Sequence, residues 1–385
     1  MQLLEASPSL EHLEFEQPSD LLLPWHRKLW NRLRDVTISS ESNSFCYSEA
    51  DSLGGFPRMF LQNAGSSLEH LDLVGIPLQW YRESSSIPFL PKLKTLRLHL
   101  AADDETPFPI FSLSIALPRL EQLCFLENIT LLGLEPTTIW RGNWDDVWPH
   151  LKVLNFECTD PLSSDDETAT SLRAIRYLTA LKSLQHIHLQ FESEDWPQLF
   201  CDSHSLLSDF DVPRYSDFKN LRSVRLDGPI SPDGARTLLS NAIKTKQLTT
   251  YDLVFPDEPV TGNIGDTCIR HLRGYDWMRG APSIHTLGCF DFRFPLDAES
   301  DEDMPLPQFL ATFPNLRTLS ISSREYRTPE FVNLVVAILR VTHLKTIYTP
   351  CVDGVFLDQL RETAKAYGVQ SFACRPPDQW PMSLD

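Results

Sequence analysis

Along this chain, leucine or another large apolar residue returns in a six-residue frame, Leu-x-x-Leu-x-Leu, with mostly polar residues between. Clear copies are SLEHLEF (frame from Leu10), SLEHLDL (Leu68), KLKTLRL (Leu93), RLEQLCF (Leu120), HLKVLNF (Leu151), SLQHIHL (Leu184), NLRSVRL (Leu221), QLTTYDL (Leu248) and NLRTLSI (Leu316). Looser copies begin at Leu33, Ile284, Leu344 and Val369. Within a frame the apolar residues alternate with other residues, the period of a strand with one face buried. Each copy therefore predicts one short strand. Successive frames start irregularly, on average about 30 residues apart, which is enough for a strand and a returning helix.

Segments between the frames supply those helices. Helical spacing is predicted over Thr168–Leu181, Ser231–Lys246, Pro329–Val341 and Asp353–Tyr367. In the third, Phe331, Leu334, Val335, Ile338 and Leu339 form a single apolar stripe able to cover the back of a sheet. Trp140, Trp144 and Trp148, at i, i+4 and i+8, predict another helical stripe. It reads as a seal on one widened repeat, or else as an aromatic anchor for a partner. Pro91, Pro118, Pro149, Pro282 and Pro314 each stand two residues before a frame, where a residue without an amide hydrogen stops the preceding helix and sets the register of the strand.

Strand, helix, strand in this order predicts an α/β fold: a leucine-rich-repeat solenoid, or horseshoe, with parallel strands on the concave face and helices outside. One continuous array of about 12–13 repeats is expected over residues 1–375, because a repeat chain grows in one dimension. A proline-rich C-terminal tail, 376–385, follows. Solenoid ends normally carry polar caps, and only Met1–Ser9 precede Leu10. An upstream element is expected on that ground.

Composition narrows the setting. The longest nearly apolar run, FVNLVVAIL from Phe331, falls well short of the roughly 18 residues a membrane span needs. The first thirty residues lack the basic start of a secretory signal. Eight cysteines are scattered without a C-x-x-C pair, and Cys289 falls on an inward strand position. An intracellular protein, cytoplasmic or nuclear and not membrane-bound, is expected.

The segments FPNLRTL, LPRLEQL, LPKLKTL and SLEHLDL, with variable repeat lengths and intervening helices, resemble the leucine-rich-repeat region of F-box proteins of the fungal type. In that family an N-terminal F-box binds the adaptor of a cullin-type ubiquitin ligase and the repeats recruit the substrate. The F-box itself is absent from the sequence. After Leu23-Pro24, WHRKLWNRLRDVTI runs directly into a repeat. The resemblance thus implies contact with a ligase adaptor only through a missing upstream F-box.

Alternation places the residues between the leucines on the concave face, in a central row of Glu14, Thr37, Asp72, Arg97, Cys124, Asn155, His188, Arg225, Asp252, Gly288, Ser320 and Tyr348. Cys124, Asn155 and His188 are the residue types of a thiol protease. Two strand spacings part Cys124 from His188 by roughly 10 Å at the backbone, whereas nucleophile and base must meet at about 3 Å. His186 and His188, flanked by Glu157 and Asp227, contain metal-ligand types, but an isolated His-x-His has little specificity. No metal and no cofactor is expected, and no phosphate loop, nucleophile elbow or His-Glu-x-x-His occurs.

What remains is a non-enzymatic protein-protein interaction scaffold, read through the resemblance as the substrate-recognition part of a ubiquitin-ligase receptor. Its expected partner patch is Arg97, His99, Asn155, Glu157, His186, His188, Arg225 and Asp227, which mixes both charge signs. The alternatives are a repeat scaffold or regulator without a ubiquitin role, such as a GTPase-regulating or inhibitor-like binder, and, third, a hydrolase with a concave-face site.

The net charge is -18, and the acids concentrate in five runs without Lys or Arg. These runs contain Asp103, Asp104 and Glu105; Asp160, Asp165, Asp166 and Glu167; Glu192, Glu194 and Asp195; Asp257 and Glu258; and Asp297, Glu299, Asp301, Glu302 and Asp303. Each follows a predicted strand, so parallel strands would gather them on one rim. They read as solvated insertions or as a docking edge for a basic protein partner. Nucleic acid, which wants a basic face, is not expected.

Overall fold

A computed structural model describes residues 9–16, 30–39, 58–77, 87–99, 110–126, 146–158, 181–191, 220–226, 232–254, 272–292, 305–323, 326–376 and 380–384. The chain divides into two compact units. The first comprises Met1–Glu192, Asp211–Tyr215 and Pro381–Asp385; the second comprises Ser193–Phe210 and Ser216–Trp380.

Every frame forms its strand. In the first unit these are β1 (His12–Glu16), β2 (Asp35–Ser39), β3 (His70–Pro77), β4 (Thr95–His99), β5 (Gln122–Leu126), β6 (Val153–Cys158) and β7 (His186–Phe191), each parallel to the next. In the second they are β8 (Ser223–Leu226), β9 (Thr250–Val254), β10 (Thr286–Phe292), β11 (Thr318–Ser323), β12 (Thr346–Tyr348) and β13 (Gln370–Phe372), again parallel neighbours in sequence order. Frame residues such as Leu71, Leu96, Leu123, Leu154, Leu287 and Leu319 are buried on the core side. The result is a solenoid-like α/β arrangement.

The register of each strand is set before it begins. Leu90-Pro91-Lys92-Leu93 closes a turn through Leu93 N–H to Leu90 C=O at 3.2 Å; the turns ending at Leu120, Leu151, Ile284 and Leu316 repeat it. Proline sits at the second position, where its fixed φ is ready for the turn, and the outer residues are buried. Prolines therefore act inside a hydrogen-bonded joint, not merely as helix stops. Trp148 takes the first position of one such joint, Trp148 to Leu151, with its backbone at φ +42° and its ring buried. It is not part of a helix, which corrects the expected three-tryptophan stripe; Trp140 and Trp144 lie outside the described residues.

The joints are stitched together by small polar side chains just before the frame leucine. Ser67 donates to the carbonyls of Trp30 and Leu33, both at 2.8 Å. Ser183 donates to that of Leu151 at 2.7 Å and Asn315 to that of Pro282 at 2.7 Å. One position further on, backbone bonds join Glu11, Arg34, Glu69, Lys94, Glu121, Lys152 and Gln185 into a spine along the leading ends of β1 to β7. Charge alternates along it, with Lys94 Nζ 2.6 Å from Glu69 and Lys152 Nζ 3.1 Å from Glu121.

Among the described residues the longer helices are α1 (Arg58–Ala64), α2 (Ile110–Ala116), α3 (Pro232–Lys244), α4 (Pro305–Ala311), α5 (Pro329–Val341) and α6 (Gly354–Ala366). Three of them fill the predicted spans at Ser231, Pro329 and Asp353; the span from Thr168 lies almost wholly outside the described residues. Helix α5 buries Phe331, Leu334, Val335, Ile338 and Leu339 as the stripe requires, and the Thr328 side chain caps it by accepting from Phe331 N–H at 3.3 Å. Among the described residues, no helix is long and apolar enough to cross a membrane.

Candidate functional site

The site is the sheet face turned away from the leucine core. In the first unit, register aligns Glu14, Thr37, Asp72, Arg97, Cys124, Asn155 and His188 side by side, which is the predicted central row. Arg97, Asn155, His186 and His188 are half-buried. His99 and Glu157 stand one step further along β4 and β6, opposite Leu126 and Gln190. Arg225 is half-buried in β8 of the second unit, and Asp227 lies outside the described residues.

Arg97 does not project freely, as an unsupported surface arginine would. Its Nη1 lies 3.6 Å from Asp72 Oδ2 on the neighbouring strand, while Asp72 Oδ1 and Arg97 Nε find no hydrogen-bond partner in the protein. Burial pushes the Asp72 carboxyl above its usual range, and the Arg97 charge only partly offsets that. Here is a partly desolvated ion pair at the face, whose unpartnered atoms are themselves buried and whose accessible atoms can meet a polar ligand group.

The register confirms that Cys124 and His188 stand on strands two apart, with Asn155 between. Among the described residues, no group of three or more His, Cys, Asp or Glu side chains is arranged to hold a metal ion. Cys289 is buried on the core side as expected, and burial raises its thiol pKa, aided by the nearby Asp252 charge. A thiol held protonated this way is a poor nucleophile.

A second row, absent from the central-row reading, runs along the start of the strands: His12, Asp35, His70, Thr95, Gln122, Val153 and His186. His70 Nδ1 lies 2.8 Å from Thr95 Oγ1. Thr95, Gln122 and Val153 are only 6%, 5% and 4% exposed, although they face away from the core, and Cys124 on the central row is 1% exposed. Sequence reasoning could have written this row down, since alternation places both rows on the same face.

In the second unit the corresponding face fills itself. Asp252, Gly288, Ser320, Tyr348 and Phe372 align. A Cβ at Gly288 would collide with Asp252 Oδ1 and the Phe290 ring, so glycine makes room for both. Tyr348 stacks on Phe372 with centroids 5.2 Å apart, and the Arg375 guanidinium lies 5.4 Å from the Phe290 centroid. The five acidic runs, Asp103–Glu105, Asp160–Glu167, Glu192–Asp195, Asp257–Glu258 and Asp297–Asp303, lie outside the described residues; the strands they follow end at His99, Cys158, Phe191, Val254 and Phe292.

Compared with known proteins, the chain matches no protein-family model and no curated protein.

Proposed function

We propose that this protein is a non-enzymatic binding scaffold, a leucine-rich-repeat array whose strand face holds a protein partner. The observation that carries the reading is the row Asp72, Arg97, Asn155 and His188: polar, half-buried, in register, and containing an ion pair between neighbouring strands. Such a surface favours one partner over others, because a poor match would strand buried polar groups. The resemblance of the repeats to those of fungal F-box proteins extends the reading to substrate recognition for a ubiquitin ligase, with an F-box outside the repeats contacting the adaptor. The acidic runs add a docking edge for a basic segment of the same partner, inside the cell.

The test is affinity purification of the tagged protein from its source cell, with retained proteins identified by mass spectrometry. Asn155→Lys combined with His188→Glu should reduce a specific partner by at least about tenfold while leaving the unfolding midpoint near that of the parent. Arg97 is left intact, since removing it would strand the Asp72 carboxylate. Equal retention by the folded double variant would overturn this site. A ligase adaptor among the retained proteins supports the ubiquitin role; a partner set without one, from cells expressing the complete coding sequence, counts against it.

A further inference from the structure

Gln122 is the point at which a distant piece of chain meets the strand face of the first unit. Its Nε2 donates to Met382 C=O and its Oε1 accepts from Met382 N–H, both at 2.8 Å, across 260 positions of sequence. The two ends of one side-chain amide thus grip the two polar groups of one backbone residue. A residue offers its N–H and C=O on the same side when it is extended, as in a strand. The grip therefore selects extended backbone and leaves the side-chain identity open.

Burial shows that the gripped amide is enclosed. Gln122 is 5% exposed, and its registered neighbours Thr95 and Val153 and its strand neighbour Cys124 are buried with it. A buried carboxamide must find partners for both ends, and Met382 satisfies both. Met382 and Leu384 are half-buried, whereas Pro381 and Ser383 are exposed. That is the alternation of an extended peptide laid on a surface.

We propose that Gln122 is the recognition residue of a groove for extended peptide backbone, and that residues 381–384 occupy the groove as an internal ligand which a partner's extended segment displaces. The second half rests on the binding-scaffold reading above; the first half does not. The partner segment would have unblocked backbone amides and apolar side chains at alternate positions, matching Met382 and Leu384. While the internal segment is seated, only the fraction of molecules with an open groove can bind, so the apparent affinity falls by that fraction.

The probe is a fluorescein-labelled heptapeptide, Gln-Trp-Pro-Met-Ser-Leu-Asp, titrated into three full-length proteins: wild type, a form with 381–384 replaced by Gly-Pro-Gly-Ser, which removes the gripped N–H at position 382, and that form carrying Gln122→Leu. The replaced form should bind at least about tenfold more tightly than wild type, and Gln122→Leu should abolish the gain. A peptide N-methylated at its methionine, which lacks the gripped N–H, should lose about tenfold against the replaced form. In wild type, hydrogen exchange at the Met382 amide should be slowed and should become fast in Gln122→Leu alone, a readout that needs no added ligand.

Fast exchange at Met382 in wild type, or binding indifferent to Gln122 and to N-methylation, overturns the groove. Slow, Gln122-dependent exchange combined with equal peptide affinity for wild type and the replaced form overturns displacement and leaves the internal clasp standing. Both outcomes are separate from the Asn155 and His188 purification, which judges the scaffold reading alone.

Discussion

The two units fix their strands in order by different means, and the difference shows along the leading ends of the strands. In the first unit the spine positions read Glu11, Arg34, Glu69, Lys94, Glu121, Lys152, so each charged strand start from β2 to β5 sits between opposite charges. In the second they read Arg222, Thr249, His285, Arg317, Lys345 and Gln370, without an acid. The helices differ in parallel. Helices α1 and α2 of the first unit have 7 residues each and no basic residue in the last turn. Of the second unit's helices, α4 is also short, with 7 residues and no basic residue in its last turn, but α3, α5 and α6 have 13 each and end with Lys244, Arg340 and Lys365. Where helices are short, cations pair with acids on the next strand; where helices are long, cations gather near carbonyl-rich helix ends. Like charges placed side by side destabilise neighbouring strands. The first unit's alternation therefore penalises mispairing, whereas order in the second relies on helices and apolar packing.

The largest expected contrast lies in the joints that carry these spines. Ser67 is buried and bonded to two carbonyls of the preceding joint, those of Trp30 and Leu33. Its counterpart Asn315 makes one bond, to the Pro282 carbonyl, in an exposed setting. Ser67→Ala takes a donor from two buried carbonyls, of which that of Trp30 keeps its bond from Leu33 N–H, and should cost about 2 kcal/mol, while Asn315→Ala should cost about 0.5 kcal/mol, because water replaces its bond. Urea midpoints of the two variants test this; equal losses would mean that the joints of both units are equally buried in energetic terms.

A smaller contrast comes from charge reversal. Lys94→Glu would place a third acid between Glu69 and Glu121 on the spine, and should cost about 1 kcal/mol after solvent screening at this half-exposed position. Lys345→Glu stands between Arg317 and Gln370 and should change stability by less than about 0.5 kcal/mol, in the favourable direction. Both are read from denaturant midpoints at low salt. If 1 M salt does not shrink the Lys94→Glu loss, the alternation is not acting through charge.

Much of this architecture was legible in the residues. The period-two frames located every described strand, and the alternating set Asp72, Arg97, Cys124, Asn155 and His188 came out in register because parallel strands in sequence order leave little freedom. Helix α5 was legible because its stripe is long. Helices α1, α2 and α4 were not, since 7 residues hold barely two turns of period. The charge spine is printed in the chain at the second position of each frame, yet period-two alternation alone assigns those charges no partners. The Gln122 clasp had no sequence signal at all: a carboxamide that binds backbone imposes no residue type on its partner, and Met382 lies 260 positions away. The Asp72 pairing was equally hidden, because register brings Arg97 beside it but only burial makes the pair consequential.

The finest test uses acid. Lys94 holds the Glu69 carboxyl below its usual range, chiefly by donating a hydrogen bond and also by its charge, with Arg34 and His70 adding Coulombic help and burial opposing. A carboxyl with a lowered folded pKa contributes stability that is complete above its unfolded value, near 4.5, and is lost as pH falls through the lower folded value. Asp72 acts in the opposite sense. Its raised folded pKa means that the unfolded chain releases the proton first, so its contribution is fullest below about pH 3.8 and is lost as pH rises through the raised value. Lys94→Met removes the main support of the Glu69 charge and should flatten the acid limb of the stability curve between roughly pH 5 and 3, by a few tenths of a kcal/mol. Lys345→Met, at a spine position without an acidic neighbour, should leave that limb superimposable on the parent's. Urea midpoints taken across this range for the two variants decide the matter: parallel curves for Lys94→Met and the parent would show that the alternating spine contributes order without acid-sensitive stability.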